Sequence, residues 1–147
     1  MDKHGALSFF LFYLLCSIFI ITIFSPTVAA QDTWWDSNWS YRKSHTITST
    51  NSSTDYQIKI KIFYDSGNSN GDTLYINRPD VKSDFSDIRF LSSSGQKMSY
   101  WIESKVDGQY AIIWVKIPQL NIGINTIYVY YGNPNVSICK PTIFEES

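Results

Sequence analysis

The sequence predicts an all-β fold, and we expect an antiparallel β-sandwich, jelly-roll-like or immunoglobulin-like, with a small barrel as the near alternative. The segment "DYQIKIKIFY", residues 55–64, alternates apolar and polar side chains, as a half-buried strand does. Six or seven such segments, separated by turn residues, fit into the 147-residue chain. No segment shows the apolar period and caps of an amphipathic helix.

The strands follow one another from Lys43 onward. "KSHTITS" is the first, residues 55–64 the second, and "DIRFL" and "KMSYWIE" are the next two. "QYAIIWVKI", Gln109 to Ile117, is apolar on both faces over most of its length, which indicates a central strand. We expect Pro118 to end it, because proline cannot donate to a sheet ladder. "INTIYVYY" is the last strand, and "GNPN" ends it.

The first 30 residues predict a signal peptide or a membrane anchor. Leu7 to Phe24 carries no charge, and Val28 and Ala30 stand at positions −3 and −1 of a signal-peptidase cut before Gln31. Eighteen uncharged and mostly apolar residues also reach the threshold for spanning a bilayer, so cleavage and anchoring by residues 7–24 both stay open. In either case we expect residues 31–147 to form one β-sandwich module that is exported, at the cell surface or extracellular.

The charge and the cysteine content indicate which binding partners and disulfide bonds to expect. The formal net charge is −1 and the longest basic run is Arg42-Lys43, so we expect no nucleic-acid partner. Cys16 lies in the targeting segment, which leaves Cys139 without an internal disulfide partner. It either pairs with another chain or is a small buried apolar side chain. The N-x-S/T sequons mark candidate glycosylation sites at Asn38, Asn51 and Asn135.

The stretch "DIRFLSSSGQKMSYWIES", residues 87–104, predicts a hairpin with the loop Ser93-Ser94-Gly95. That register pairs Ser92 with Gln96, Phe90 with Met98 and Ile88 with Tyr100, and it collects the large apolar residues except Trp101 on one face. The other face then carries Asp87, Arg89, Ser99, Trp101 and Glu103, with Asp87 opposite Trp101.

Three interpretations of this polar face remain open. In the structural one, Arg89 is held by a carboxylate and stacks on Trp101. In the second, the tryptophan and the charged groups form a shallow sugar-binding surface. In the third, Asp87 and Glu103 are the carboxyl pair of a glycosidase. We rank it last, because an arginine beside both carboxyls opposes the protonated form that a general acid requires.

Other arrangements for chemistry are weak in this sequence. His45 is the only histidine outside the targeting segment, and no nucleophile motif accompanies it. "DSGNSNGD" is faintly similar to a calcium loop, and its oxygen-bearing side chains are weak candidates for holding an ion: Asp65, Asn68, Asn70 and Asp72. We therefore expect no cofactor and no resident metal.

"WWDSNWSYRK" places three tryptophans within six positions near the start of the exported part. We expect Trp39 to anchor the first strand to the core. Trp34 and Trp35 are consecutive and point opposite ways in an extended segment, so one of them is a candidate for exposure. We take Trp35 as a candidate binding residue.

Five motifs in order carry a family resemblance: "W-x3-W-x-YRK" from Trp35, "DIRF", "YWIES", "AIIWVKIP" and "TIYVYYGN". The chain from about residue 34 to 133 resembles the domain of unknown function 2341 (DUF2341) family. The resemblance implies an exported β-rich module of bacterial and archaeal surface proteins, often followed by a concanavalin-like, laminin-G-type domain. It implies no activity. "IFEES", residues 143–147, looks like the start of a continuing segment, so we expect either a stand-alone short form or the head of a longer protein.

From these observations we expect a non-enzymatic surface module that recognises a carbohydrate or a cell-envelope polymer through Trp35, Asp87, Arg89, Trp101 and Glu103. The alternative is a purely structural or adhesion module that packs within a larger surface protein. A glycoside-active enzyme domain is the third hypothesis.

Overall fold

The computed structural model describes residues 34–136, and over this range the protein is all-β, without a helix. The predictions for residues 1–30, for Cys139 and for residues 143–147 lie outside the described residues. The described strands are β1 (Tyr41–Ser49), β2 (Ser53–Phe63), β3 (Thr73–Tyr75), β4 (Arg89–Ser92), β5 (Tyr100–Val106), β6 (Tyr110–Leu120) and β7 (Gly123–Tyr131).

The strands form two sheets. A three-stranded sheet has the order β1-β7-β4, and a four-stranded sheet has the order β3-β2-β6-β5. All pairs are antiparallel except β2 with β3, which run parallel. The short strand β3 was not predicted, since three residues at a sheet edge give no measurable alternation.

One hydrophobic cluster joins the two sheets. Ile60 and Ile62 of β2, Ile113 of β6, and Phe90 and Val129 of the other sheet all belong to it, each at most 1% exposed. Burying a side chain of this size contributes about 1.5–3 kcal/mol, so this shared core is the main support of the fold. The predicted all-β class is confirmed, and β6 is a central strand as expected.

Pro118 does not end β6, which continues to Leu120. The N–H of Lys116 donates to the carbonyl of Ser99 at 2.9 Å, so the nitrogen of Pro118, two residues on, faces the same side. Opposite Pro118, the chain that leads into β5 has already left the four-stranded sheet and runs towards the three-stranded sheet. The prediction was wrong because the missing N–H points where no ladder partner is required.

No segment of residues 34–136 is a helix with the length and apolar character needed to cross a bilayer.

Candidate functional site

The loop of the predicted hairpin closes in the predicted register. The N–H of Ser92 donates to the carbonyl of Gln96 at 2.9 Å, and the N–H of Met98 donates to that of Phe90 at 2.9 Å. Gly95 has a φ of 81°, the left-handed conformation that the loop demands and that glycine adopts without strain. The apolar side also forms as predicted, since Phe90 and Met98 are buried in the shared core.

The two strands separate beyond this loop. β4 pairs with β7 in the three-stranded sheet, whereas β5 pairs with β6 in the four-stranded sheet. The predicted polar face of Asp87, Arg89, Ser99, Trp101 and Glu103 is therefore divided, and the placement of Asp87 opposite Trp101 was wrong. A hairpin register fixes cross-strand neighbours only while both strands remain in one sheet.

Asp87 has a structural environment. It is 1% exposed, and its two carboxylate oxygens accept hydrogen bonds from the N–H of Lys82 at 3.0 Å and of Gly132 at 2.9 Å. These bonds tie the segment before β4 to the turn after β7. The carboxylate borders a cavity of about 250 Å³ that Tyr41 and Asp80 also line.

Arg89 lies near Trp39 and not near Trp101. Its Nη1 donates to the carbonyls of Ser86 at 3.0 Å and Ile88 at 2.7 Å, and its guanidinium carbon is 5.2 Å from the centre of the Trp39 ring. The expected stacking of this arginine on a tryptophan occurs, but with a different partner.

The outer side of the three-stranded sheet is covered by the segment from Trp34 to Trp39. We call this the tryptophan cover. Trp39 is 3% exposed and packs with Leu91 and Tyr130, while Trp35 lies half-buried against them. The predicted anchoring by Trp39 is confirmed, and Trp34, 44% exposed, is the more exposed of the consecutive pair.

The outer side of the four-stranded sheet holds a second set of aromatic and charged side chains, which we call the four-strand face. The inward residues of β2 and β6 are buried, so the strand alternation turns their neighbours outward. The residues of this face that matter below are Lys59, Lys61, Phe63, Tyr75, Trp101, Glu103, Tyr110 and Trp114.

The rings of the four-strand face lie in nearly parallel pairs. Trp101 and Trp114, directly opposite on β5 and β6, have centres 6.4 Å apart and planes 11° apart. Phe63 and Tyr75, opposite on β2 and β3, have centres 5.0 Å apart and planes 14° apart. Tyr110 lies 6.3 Å from Phe63. All five rings are half-buried, so part of each faces solvent.

Charged groups lie beside these rings. The Nζ of Lys61 is 4.6 Å from the centre of Phe63 and 4.8 Å from that of Tyr110, and the Nζ of Lys59 is 5.6 Å from that of Trp114. At the β5 edge, the register shift between Ile102 and Ser104 leaves Glu103 as an extra residue. Its carboxylate accepts a 3.1 Å hydrogen bond from the indole N–H of Trp114.

Sequence reasoning therefore named two members of this face, Trp101 and Glu103, as candidate binding residues. It missed the other four rings, which are Phe63, Tyr75, Tyr110 and Trp114. The signal was present in "AIIWVKI", where Trp114 stands between Ile113 and Val115. Both neighbours are buried, so the tryptophan must point outward. Reading the segment as uniformly apolar hid this alternation.

The loop that resembles a calcium site shows no cluster of acidic ligands. Asp65 accepts from the N–H of Ser66 at 2.9 Å and lies 3.5 Å from Arg78, and Asn70 is tied to Thr73 by two backbone bonds. Within residues 34–136 no group of three His, Cys, Asp or Glu side chains is placed to hold a metal ion. The binding of an ion by Asp65, Asn68, Asn70 and Asp72 together stays a prediction.

The sequons Asn38, Asn51 and Asn135 are all exposed, and their glycosylation stays a prediction.

His45 is 7% exposed on the inner side of β1, next to a cavity of about 280 Å³ lined by Asn70, Gly71 and Thr73 among others. Burial lowers the pKa of His45, and the nearby charge of Asp72 raises it in part.

Comparison with curated proteins and with solved structures gives no match. The sequence model of one protein family, described as a domain of unknown function (DUF2341), matches residues 84–140, a range that includes β4, β5, β6 and β7. Over residues 84–140, the match is to the same family that the five sequence motifs indicated.

Proposed function

We propose that the protein is an exported, non-enzymatic module of the cell surface that recognises a carbohydrate or a cell-envelope polymer on the four-strand face. In this proposal the two sheets form a jelly-roll-like or immunoglobulin-like β-sandwich, and one outer side of it is the binding surface. The observation that carries the proposal is the set of five half-buried rings on one side of a single sheet.

Such a surface suits a saccharide for a physical reason. The C–H faces of a sugar ring stack on aromatic rings, while its hydroxyls require polar partners at the edges. The four-strand face offers both, since Trp101 and Trp114 lie beside Glu103 on one side and Lys59 on the other. The rings lie at two levels of the sheet, Trp101 and Trp114 at one and Phe63, Tyr75 and Tyr110 at the other. The two levels are four residues apart along β6, about 13 Å, so the surface spans more than one sugar unit.

The other candidate binding residues contribute differently to this proposal. Asp87 and Arg89 use their polar atoms to hold backbone groups of their own fold. Trp35 packs in the tryptophan cover, 5.6 Å from both Trp39 and Tyr130. We therefore assign recognition to Trp101 and Glu103 together with the aromatic residues that the sequence reasoning missed.

A structural or adhesion role is the second candidate, and one observation favours it. Ile122 and Ile124, beside the turn between β6 and β7, are 71% and 76% exposed. Two large apolar side chains at one tip of a sheet suit docking against a neighbouring domain, such as the concanavalin-like domain that the family resemblance implies. The third candidate, a glycosidase, would need a carboxyl pair other than Asp87 and Glu103. Asp87 is buried in the segment before β4, whereas Glu103 lies on the outer side of the four-stranded sheet.

The test is a titration of the full chain, in a mild detergent without a sugar headgroup, against soluble polysaccharides and envelope fragments, read by tryptophan fluorescence. We expect saturable quenching or a blue shift that Trp101→Ala and Trp114→Ala each abolish. Trp34→Ala is the matched control, because it removes an exposed tryptophan of the other sheet and should leave binding unchanged. A response that Trp34→Ala abolishes, or a spectrum that no polysaccharide perturbs, would contradict the proposal.

A further inference from the structure

We infer that the ligand of the four-strand face is an acidic polysaccharide whose sugar rings carry carboxylate groups, as uronic acids do. This inference rests on the proposed function and adds the charge of the ligand to it. It starts from Lys59 and Lys61 of the face, whose ammonium groups lie beside aromatic rings and not beside carboxylates.

Lys59 and Lys61 have no carboxylate partner within residues 34–136. Three other lysines are engaged by oxygen atoms: the Nζ of Lys43 donates to the carbonyl of Tyr75 at 2.7 Å, that of Lys105 lies 2.6 Å from Asp107, and that of Lys116 lies 3.1 Å from Asp55. The two ammonium groups of β2 are held instead beside aromatic rings. A ring leaves the N–H groups of an ammonium available to an anion, whereas an ion pair occupies them.

The charges of the face are also segregated. Lys59 and Lys61 alternate along β2 on one side of the central strand β6, and Glu103 lies at the β5 edge on the other side. Two residues apart on one strand, the lysines are separated by about 7 Å at their Cα atoms. An anionic ligand is therefore attracted over β2, and its uncharged hydroxyls are directed towards Glu103 and the tryptophan pair.

The rings select the kind of anion. A polymer of phosphate and glycerol has no ring faces and would leave the aromatic pairs without a role. A uronic-acid carboxylate is attached directly to the sugar ring, so a sugar stacked on Phe63 or Tyr110 places it beside the Nζ of Lys61, which is within 4.8 Å of both ring centres. Single-stranded nucleic acid also combines stacking with negative charge, so oligo(dT) is one of the competing ligands in the test below.

The experiment compares two polymers with the same backbone, polygalacturonate and its fully methyl-esterified form, in titrations of the full chain in the same detergent. We expect the acidic polymer to bind at least about tenfold more tightly at low salt, and to lose most of this advantage in 0.5 M NaCl because salt screens exposed charges. Lys59→Gln and Lys61→Gln should each weaken its binding by roughly fivefold while leaving the methyl ester unaffected.

Lys97→Gln is the matched control. Its Nζ is 4.9 Å from the centre of Trp35, a similar cation–ring contact that belongs to the tryptophan cover. Its removal should leave both polymers unaffected.

The outcomes separate the two proposals. Equal binding of the acidic and esterified polymers, both lost in Trp101→Ala, would overturn the inference and leave the proposed function standing. Failure of both polymers and of all neutral polysaccharides would overturn both. Tighter binding of a sulfated polysaccharide, of poly(glycerol phosphate) or of oligo(dT) than of polygalacturonate would overturn the choice of a ring carboxylate.

Discussion

The tryptophan cover and the four-strand face contain the same kinds of side chain in different surroundings. Both combine aromatic rings with cations on the outer side of a sheet. Trp39 of the cover and Tyr130 of β7 beneath it are 3% and 2% exposed, since a segment of the chain itself lies over the three-stranded sheet. On the four-strand face, Trp101 and Trp114 remain half-buried.

The difference shows that ring content alone does not distinguish a covered aromatic surface from an accessible one. An aromatic ring that the chain covers contributes to folding through the area it removes from water. A ring that keeps part of its surface in water retains that contribution for a partner. Substitutions of the covered rings Trp39 and Tyr130 should therefore change stability, whereas substitutions of rings on the four-strand face should change binding.

The largest effect that we expect comes from Trp39→Ala. Removing a buried tryptophan leaves a cavity against Leu91 and Tyr130, and such a change costs about 3–5 kcal/mol of the free energy of unfolding. Urea denaturation of the full chain, followed by far-UV circular dichroism, measures it. Trp34→Ala is the control in the same segment, and a loss as large as that of Trp39→Ala would show that the cover is not organised around Trp39.

The next effect concerns Asp87, which sequence reasoning placed in a binding surface and which the structure buries. Asp87→Ala leaves the N–H groups of Lys82 and Gly132 without their acceptor, and we expect a loss of roughly 2–4 kcal/mol in the free energy of unfolding. Asp107→Ala, which removes an exposed carboxylate, should cost no more than about 0.5 kcal/mol. If Asp87→Ala keeps full stability in urea and loses polysaccharide binding, Asp87 belongs to the site after all.

A smaller effect on stability should follow Trp101→Ala, although the same variant is expected to abolish binding. Its ring is half-buried and contacts Trp114 across the strands, a pair that contributes about 0.5–1.5 kcal/mol. The comparison of this loss with that of Trp39→Ala, in the same urea series, is the direct measure of the difference between the two faces. Equal losses would mean that the four-strand face is a second packing surface.

Much of the fold could be predicted because strand alternation is local. The pattern from Tyr56 to Ile62 predicted β2, and Ser93-Ser94-Gly95 predicted the loop and its first two pairs, all of which the structure contains. Tyr56 departs from the pattern, at 49% exposed, because it lies towards the start of β2, away from the buried Ile60 and Ile62.

The candidate site could be predicted only in part, because it depends on which sheet each strand joins. Arg89 and Trp101 are close in sequence, and the change of sheet after Met98 sends them to different surfaces. Conversely, Phe63, Tyr75 and Trp114 lie on three strands whose order in the sheet, β3-β2-β6, is set by long-range pairing. No local pattern contains that order, so the face could be recognised only after the pairing was known.

The smallest effect that we expect is a pH dependence that should alter stability and leave the four-strand face intact. Burial lowers the pKa of His45 below its usual 6.5, with the charge of Asp72 opposing this shift. The unfolded chain then binds the proton more readily than the folded chain, so stability is complete above about pH 6.5 and falls as the pH drops through the folded pKa.

Because His45 is the only histidine of residues 34–136, urea denaturation at about pH 8 and pH 5 isolates its contribution from carboxylates that titrate lower. His45→Gln should flatten the dependence, and Asp72→Asn should steepen it by removing the opposing charge. At pH 5 the fraction that stays folded should bind polysaccharide as at pH 8, since His45 lies on the inner side of the other sheet. A pH dependence of stability that survives His45→Gln would show that another group causes it. A loss of affinity at pH 5 without a loss of folded protein would show that protonation on the inner side of one sheet alters the outer side of the other.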